Sequence, residues 1–310
     1  MAILNQQSFA VPAVSVIFIN YNSVPFLARA LATLQRAEPE LSKELIVVDN
    51  GSVDTGRLRG LCARYQARLL LLKRNRGYGA AANQGFQIAR GEFVAVANPD
   101  IEFLPGAVSE LLNFLVEHRE VGVAGPQLLY PDGSLQTSCR RLPRLKYVFA
   151  GRRSPLSRFF PRSALVKEFL YLNAGRDGRP VEVEAVIGTV MFFRRSAYQE
   201  VGGFDERYFM FAEDLDICER LHAQGWQVFL VPNARVHHYY GGVRRSWRRF
   251  TEFQRVKALC RFFSRRANPF FRLILNLGFA GYYFLLEALG LVGYGEFEYS
   301  WQRLRINDEC

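Results

Sequence analysis

The sequence is poor in the residues that build disulfide-linked or zinc-stabilised folds. It has five cysteines among 310 residues, and no two of them form a Cys-x-x-Cys pair. They are scattered along the chain as Cys62, Cys139, Cys218, Cys260 and Cys310. An odd, dispersed set argues against a disulfide framework and against a cysteine zinc site, and it favours a reducing compartment.

Several sequence signatures are also missing. There is no Gly-x-Gly-x-x-Gly segment, no internal repeat and no low-complexity tract, and only four histidines occur. Without the glycine fingerprint, a nicotinamide dinucleotide cofactor is not expected. The N-terminus lacks the basic-then-apolar pattern of a signal peptide, so we expect the bulk of the protein in the cytoplasm.

What is abundant is positive charge. The chain has 40 Lys and Arg residues and 29 Asp and Glu residues, which gives a net charge of +11. Such a balance favours an anionic partner, namely nucleic acid, an acidic membrane surface or a phosphorylated ligand. With 49% hydrophobic residues, the chain is long enough for one large domain, alone or with an appendage.

Short apolar runs alternate with amphipathic stretches from Val14 onward. The runs predict strands at 14–20, 45–48, 68–72, 93–97, 121–124, 183–193 and 227–231, and the amphipathic stretches predict helices after Ser23 and at 54–66, 80–89, 104–117 and 214–224. Residues 140–162, rich in arginine and proline, predict a basic loop. Strands that are apolar on both faces indicate an α/β fold with a mostly parallel sheet, covered by helices on both sides.

Polar or glycine-bearing clusters follow four of the predicted strands. They are Asn20-Tyr21-Asn22, Asp49-Asn50-Gly51-Ser52, Asn75-Arg76-Gly77-Tyr78-Gly79 and Asn98-Pro99-Asp100. Ligands of open parallel sheets bind beyond the carboxyl ends of the strands. The coincidence of four clusters on one edge therefore predicts a ligand site there.

Each cluster taken alone has a second interpretation. Asp49 suits the base or ribose of a nucleotide, but Asp-Asn-Gly-Ser is also strong turn sequence in which the carboxylate caps the turn. Gly77 and Gly79 let backbone N–H groups approach a ligand, or simply form a helix-entry loop. Asp100 offers a hard oxygen ligand for Mg²⁺ or Mn²⁺, or belongs to an ordinary Asn-Pro-Asp turn.

An acidic pair, Glu213 and Asp214, stands at the start of the predicted helix in the segment Phe211 to Leu221. The positive end of a helix stabilises ionised carboxylates, and an ionised, positioned carboxylate suits a general base. The alternative is a solvated helix start. The adjacent His237 and His238 follow the last predicted strand, and one of them could ligate a metal beside Asp100 or be an ordinary strand-end histidine.

The ordered motifs resemble those of family 2 glycosyltransferases of the GT-A fold, most closely the bacterial rhamnosyltransferase branch, over residues 14 to 240. The motifs are Phe18 to Ser23, Val48 to Asp54, Asn75 to Asn83, Asn98 to Asp100, Gly188 to Phe193, Gly202 to Asp205 and Glu213-Asp214. The resemblance implies a GT-A domain over 14–243, preceded by a tail at 1–13. It also implies inverting transfer of a sugar from a nucleotide diphosphate donor to a glycan or lipid-linked hydroxyl.

The resemblance assigns roles to individual residues. Asp214, beside Glu213, matches the catalytic base, and Asp100 matches the second acid of a turn that holds Mg²⁺ or Mn²⁺. Asn98 stands where the family has the first acid, and His238, or less well His237, matches a late metal ligand. The donor side would comprise Asn20, Tyr21, Asn22, Asp49, Asn50, Gly51, Ser52, Asn75, Gly77, Gly79, Asn83, Asn98 and Asp100.

The C-terminal region, 244–310, has a different composition. Residues 244–272 hold ten Arg or Lys and one acid, Glu252, and residues 273–294 are almost wholly apolar. This pattern predicts helices, with three interpretations: an anchor on anionic membrane, a helix pair packed on the main domain, or, least favoured, a nucleic-acid surface. An anchor fits a lipid-linked acceptor at the inner face of the plasma membrane.

The leading hypothesis is therefore a membrane-associated, metal-dependent glycosyltransferase. A nucleotide-sugar or nucleic-acid binding protein without catalysis is the alternative, favoured by Asn98 and by the positive charge. A nucleotidyltransferase would need a second acid beside Asp100, and the sequence shows none there.

Overall fold

A computed structural model of the chain describes residues 13–147, 160, 162–172, 174–239, 248–265 and 267–288. The strands are β1 Val14–Asn20, β2 Lys43–Asp49, β3 Arg68–Leu71, β4 Phe93–Ala97, β5 Ile101–Phe103, β6 Val121–Leu129, β7 Cys139–Arg140, β8 Val181–Glu182, β9 Ala185–Val186, β10 Val190–Arg194 and β11 Gln227–His238. The helices are α1 Val24–Ala37, α2 Gly56–Arg64, α3 Tyr78–Ile88, α4 Ala107–Glu117, α5 Ala164–Leu170, α6 Arg195–Glu200, α7 Glu213–Ala223, α8 Arg248–Ser264 and α9 Pro269–Ala288, with a 3₁₀ turn at Leu145–Tyr147.

A nine-stranded sheet forms the centre, in the order β3-β2-β1-β4-β10-β6-β11-β5, with β8 paired to β11. β3, β2, β1 and β4 run parallel, and β11 runs parallel to β6. β10 is inserted antiparallel between β4 and β6, and β5 and β8 are antiparallel to β11. The predicted mostly parallel sheet flanked by helices is confirmed.

The alternation of side chains along β1 explains why both faces are covered. Ile17 and Ile19 pack into a core on the side of α3 and α7, whereas Val16 and Phe18 pack into a second core on the side of α1 and α4. Every residue of β1 is buried. A strand buried on both faces must be apolar throughout, which is the pattern that the sequence shows.

Three of the predicted strands differ from the sequence-based prediction: β6 continues to Leu129 instead of ending at 124, and the other two are the run at 183–193 and β11. The run at 183–193 is not one strand: β9 pairs with β7 in a separate two-stranded sheet, β10 belongs to the central sheet, and residues 187–189 connect the two. Their backbone groups bond elsewhere: Ile187 N–H donates to the carbonyl of Ser138, and the Thr189 carbonyl accepts from Asn98 N–H at 2.8 Å. β11 runs on to His238, past an irregularity between Val231 and Arg235 at Pro232, which has no N–H to donate.

Part of the predicted basic loop is ordered structure: Arg140 ends β7, which pairs with β9, and the 3₁₀ turn follows. Residues 148–159 and 161 lie outside the described residues, as do 1–12, 240–247 and 289–310. The N-terminal tail and the end of the apolar run therefore remain sequence-based predictions.

The predicted C-terminal helices are present as α8 and α9. Ala258 and Phe262 of α8 enter the core that contains α7. Arg265, just beyond α8, pairs with Asp216 and Glu219 of α7. α9 packs against α8 and is attached to the main domain largely through it.

Candidate functional site

A cavity of about 580 Å³ lies at the carboxyl ends of β1, β2 and β4 and beside the start of α7. The predicted site residues in its walls are Tyr21, Asn22, Asn50, Asn75, Gly77, Asn98, Asp100, Glu213, Asp214 and His238. Residues from six separate parts of the chain thus meet, as expected where the ends of parallel strands come together. In particular, Asp100 and Asp214 share one cavity.

The remaining predicted residues lie outside the cavity wall: Asn20, Asp49, Gly51, Ser52, Gly79 and Asn83. Asp49 is buried and serves its own turn. Its Oδ1 accepts from Asn20 Nδ2 at 2.7 Å and from Ser52 Oγ at 2.5 Å, and its Oδ2 accepts from Ser52 N–H at 2.9 Å. In this state its carboxylate caps the turn, and its contact with a nucleotide stays a prediction.

Asn50 fastens two of the polar loops to each other. Its Nδ2 donates to Asn75 Oδ1 at 2.9 Å and to the Gly77 carbonyl at 3.0 Å, and its Oδ1 accepts from Arg76 N–H. Gly77 has a φ of +93°, and a Cβ there would collide with the backbone of Phe209. Only glycine fits this position, so the loop is held close against the segment that precedes α7.

Asn83 has a structural role. Its Oδ1 accepts from Tyr198 Oη at 2.5 Å and from Phe204 N–H at 2.9 Å, and its Nδ2 donates to the Phe204 carbonyl at 2.9 Å. A Cβ on Gly79 would lie 2.8 Å from Phe204 Cβ. Both residues therefore pack α3 against the Gly203–Phe204 loop.

The backbone before α7 adopts an unusual conformation. Phe211 and Ala212 have φ values of +68° and +62°, in the left-handed region that costs non-glycine residues energy. Both residues line the cavity, and Glu213 and Asp214 follow directly as the first residues of α7. The strained turn thereby places the acidic pair at the cavity wall.

Three donors orient the Asp214 carboxylate. Its Oδ2 accepts from Arg140 Nη2 at 2.7 Å and from Gly188 N–H at 3.0 Å, and its Oδ1 accepts from Leu215 N–H at 2.9 Å. An ionised carboxylate has about four acceptor positions. The arrangement fixes the side chain and leaves acceptor capacity for a proton.

Arg140 and Gln136, two further wall residues, were missed by the sequence analysis. Arg140 reaches Asp214 because β7 pairs with β9, which places it beside Gly188. Gln136 reaches His238 from a loop after β6. Neither residue lies in a recognisable motif, and one sequence carries no signal for contacts 74 and 102 residues apart.

Tyr78 is a third wall residue that the sequence analysis did not select. Its Oη donates to the Gly188 carbonyl at 2.9 Å. Burial, reinforced by the charges of Glu213 and Asp214, raises the pKa of Tyr78 well above its usual value. The phenol is therefore neutral at physiological pH and able to hold the Gly188 peptide whose N–H binds Asp214.

Replacing Tyr78 with phenylalanine is expected to lower about tenfold the turnover number of the sugar transfer that the sequence predicts. The Gly188 carbonyl would lose its partner, at a cost of about 1–3 kcal/mol, and the neighbouring N–H would hold Asp214 less firmly. The measurement is steady-state kinetics of the variant beside Tyr65→Phe, a half-buried tyrosine at the end of α2. Unchanged turnover in Tyr78→Phe would show that this contact does not position Asp214.

Asp100 and His238 form the part of the site that suits a metal ion. Asp100 Oδ1 lies 3.7 Å from His238 Nε2, and both side chains are buried. His238 Nδ1 lies 2.6 Å from Gln136 Oε1, so Nδ1 carries the proton and Nε2 is left to face Asp100. His237 instead lies 4.0 Å from Glu102, outside the cavity.

The donor set fits a divalent cation only in part. Within the described residues there is no group of three or more His, Cys, Asp or Glu side chains placed to hold a metal. One carboxylate and one imidazole can bind Mn²⁺ or Mg²⁺ if phosphate oxygens of a ligand and water complete the shell. The residues therefore fit a metal that arrives with, or is completed by, a diphosphate.

Comparison with known proteins gives a consistent result. The profile described as "Glycosyl transferase family 2" matches residues 15–202, and "Glycosyl transferase family group 2" matches residues 175–292. An N-acetylglucosaminyl-diphospho-decaprenol L-rhamnosyltransferase of Mycobacterium tuberculosis is 36% identical over 236 residues, 72% of this chain and 75% of that protein. Rhamnosyltransferase WbbL of Escherichia coli is 24% identical, over 86% of this chain and 96% of its own length.

Solved structures show the same fold at low sequence identity. GalNAc-T7 with UDP, GalNAc and Mn²⁺ superposes with a TM-score of 0.60 at 16% identity, over 82% of this chain and 48% of that chain. The mannosyltransferase PcManGT of Pyrobaculum calidifontis, with GDP-Man and Mn²⁺, gives 0.55 at 18% identity, over 94% and 83%. The predicted GT-A fold is confirmed, and the chain belongs to glycosyl transferase family 2, within its rhamnosyltransferase branch.

Proposed function

We propose that the protein is an inverting glycosyltransferase that moves rhamnose, or another hexose, from a nucleotide diphosphate donor to a hydroxyl of a glycan or lipid-linked acceptor. One observation carries the proposal: Asp100 with His238, and Asp214 with Gly188, belong to the walls of the same cavity. Asp100 and His238 are therefore available to bind the diphosphate of a donor. Asp214 is available to take the proton of an acceptor in the same cavity. Family membership favours this enzyme over a binding protein without catalysis.

The proposed reaction assigns a step to each of these groups. The acceptor oxygen bonds to the anomeric carbon while the bond from that carbon to the donor's phosphate oxygen breaks. The acceptor's proton passes to the Asp214 carboxylate, and the nucleoside diphosphate leaves with the bonding electrons. Attack opposite the leaving group inverts the anomeric centre. A positioned general base contributes typically 10²–10⁴-fold to such a step.

Asp100 and His238 would hold Mg²⁺ or Mn²⁺ against the diphosphate. A bound divalent cation supplies Lewis-acid stabilisation of the negative charge on the leaving group. Asn98 adds no charge where the family has an acid, so the protein supplies little affinity of its own, and the diphosphate is needed to complete the shell. Asn22 and Asn75 in the same wall would donate hydrogen bonds to the nucleotide, whereas both side-chain donors of Asn50 hold the loop at Gly77.

The acceptor and the location belong to the same proposal. The M. tuberculosis relative is named for a diphospho-decaprenol acceptor, which supports a lipid-linked acceptor here. Helix α9 is long and apolar enough to cross a membrane, and 17% of its most apolar stretch is buried, whereas the core helix of a soluble protein is mostly buried. Both observations support the proposal that the enzyme works at the inner face of the plasma membrane, in contact with anionic lipid.

A screen of nucleotide sugars tests the proposal. Melting temperatures of the full chain are measured with dTDP-, UDP- and GDP-sugars, each with Mn²⁺, Mg²⁺ or a chelator, because ligand binding raises apparent stability. One donor is expected to stabilise the protein, more strongly with metal, and that donor is then tested for transfer. If no nucleotide sugar stabilises the protein, the proposal fails.

Replacing Gln136 with leucine is expected to weaken Mn²⁺ binding 10–100-fold, because metal-ligating histidines depend on the partner of their second nitrogen. The measurement is an electron paramagnetic resonance titration of Mn²⁺ with nucleoside diphosphate present. Gln136→Glu keeps an acceptor oxygen for His238 Nδ1 and should bind Mn²⁺ well. Equal affinities of wild type and Gln136→Leu would remove Gln136 from the metal site.

A further inference from the structure

A second cavity, separate from the catalytic one, lies between α8, α9 and the segment at Tyr208. It is an open groove of about 740 Å³. Its lining includes the aromatic residues Phe253 and Phe284 and the cationic residues Arg207, Lys257, Arg261, Arg265 and Arg272. The lining combines two kinds of surface, one apolar and aromatic and the other cationic.

The apolar part of the groove continues onto an uncovered helix face. Phe279, Tyr282 and Leu286 of α9 pack on α8. On the opposite side of α9 the exposed apolar residues recur at helical spacing and are Phe270, Leu273, Ile274, Leu277, Phe284 and Leu285. Leu277 and Phe284 are 65% and 67% exposed. A helix that is hydrophobic all round belongs in a core or in lipid.

The cationic part holds three side chains that the main domain does not neutralise. Arg207 is paired with Asp205, and Arg265 is paired with Asp216 and Glu219. Lys257, Arg261 and Arg272 have no carboxylate partner among the described residues. Three positive charges beside exposed aromatic rings complement a ligand with an anionic head and a hydrocarbon tail.

Helix α8 separates this groove from the catalytic cavity. One face of α8 lines the catalytic cavity, through Phe250, Thr251, Arg255, Leu259 and Phe263. Another face of the same helix lines the groove, through Phe253, Val256, Lys257, Cys260 and Arg261. Whatever occupies the groove therefore lies one helix away from the proposed base and metal ligands.

We propose that the groove and the exposed face of α9 form a docking surface for anionic membrane phospholipid. Lys257, Arg261 and Arg272 bind phosphate headgroups, while Phe253, Phe284 and the exposed face of α9 lie among the acyl chains. In this arrangement α9 lies along the membrane interface. Helix α8 then lies between the membrane, which carries a lipid-linked acceptor, and the catalytic cavity. The inference rests on the proposed membrane location and is independent of sugar transfer.

Vesicle flotation of the full chain tests the docking surface. Wild type is expected to float with vesicles of phosphatidylcholine mixed with phosphatidylglycerol and much less with phosphatidylcholine alone. The triple variant Lys257→Gln, Arg261→Gln, Arg272→Gln should lose on the order of 100-fold in partition, at roughly fivefold for each charge near an anionic surface. Arg57→Gln, Arg59→Gln, Arg64→Gln on exposed α2 removes the same charge and should float like wild type.

The apolar half of the surface has its own test. Leu277→Asn with Phe284→Asn should weaken binding to both kinds of vesicle and do so equally at low and high salt. The loss in the cationic triple variant should instead disappear at high salt, where charges are screened. A matched polar substitution at exposed Val53 should change nothing.

Three outcomes would overturn the inference. If wild type floats and the triple variant floats equally well, the membrane contact lies elsewhere. If the α2 triple loses as much as the groove triple, only net charge matters. If a single-stranded oligonucleotide binds through the same three cations and the α9 variants float normally, the surface belongs to nucleic acid. Sugar transfer to a soluble acceptor, measured on the same variants, reports on the proposed function separately.

Discussion

Replacing Asp214 with asparagine is expected to lower sugar transfer by 10²–10⁴-fold while donor binding survives. Asparagine keeps the size of the side chain, and its carbonyl oxygen can still accept from Gly188 N–H. It cannot take the proton of the acceptor hydroxyl. In the proposed function the donor is held elsewhere in the cavity, by the polar loops and the metal, so its affinity should change little.

The decisive comparison is between transfer and binding in one preparation. Turnover is measured with the donor that the thermal screen identifies, and donor binding is measured from the shift in melting temperature at several donor concentrations. Asp177→Asn, an exposed carboxylate before β8, is the matched control and should retain full activity. If binding disappears together with transfer, Asp214 is a structural residue, and the assignment of the base is wrong.

The strand-end clusters show why much of the fold and the cavity was predictable. Runs such as Val14–Asn20 are apolar at every position, which is a local property that identifies a strand buried on both faces. Once the strands are parallel, their carboxyl ends meet at one edge, so Tyr21, Asn50, Asn98 and Asp100 converge without any knowledge of distances. The helix that begins at Glu213 follows from equally local periodicity.

The details of the site were not predictable, because they depend on contacts between distant segments. Arg140 belongs to a basic stretch whose other charges give it no distinction, and its role appears only when β7 pairs with β9. The break at residues 187–189 is also non-local, since Gly188, in the connection between β9 and β10, bonds to Asp214 and Tyr78. Asp49 was predictable from local sequence, because the turn that Asp-Asn-Gly-Ser favours accounts for its observed hydrogen bonds with Ser52.

Replacing Asp100 with asparagine is expected to reduce transfer about 100-fold at a metal concentration that saturates wild type. Lewis-acid stabilisation of a leaving group is worth several kcal/mol, and 1.4 kcal/mol corresponds to a factor of ten in rate. The variant keeps His238 and the diphosphate oxygens but loses the one carboxylate that we propose to bind the metal. Its metal affinity should therefore fall without vanishing.

A metal titration distinguishes this explanation from a general loss of structure. Activity is measured over increasing Mn²⁺, and the half-saturating concentration should rise in Asp100→Asn, with part of the lost rate returning at high Mn²⁺. Glu102→Gln is the matched control, because Glu102 lies two residues further on, beside Arg29 and His237 instead of His238. If Asp100→Asn shows the wild-type titration curve, the cation is bound without Asp100. The positions of Asp100 and His238 in the cavity would then need another explanation, such as direct hydrogen bonding to the donor.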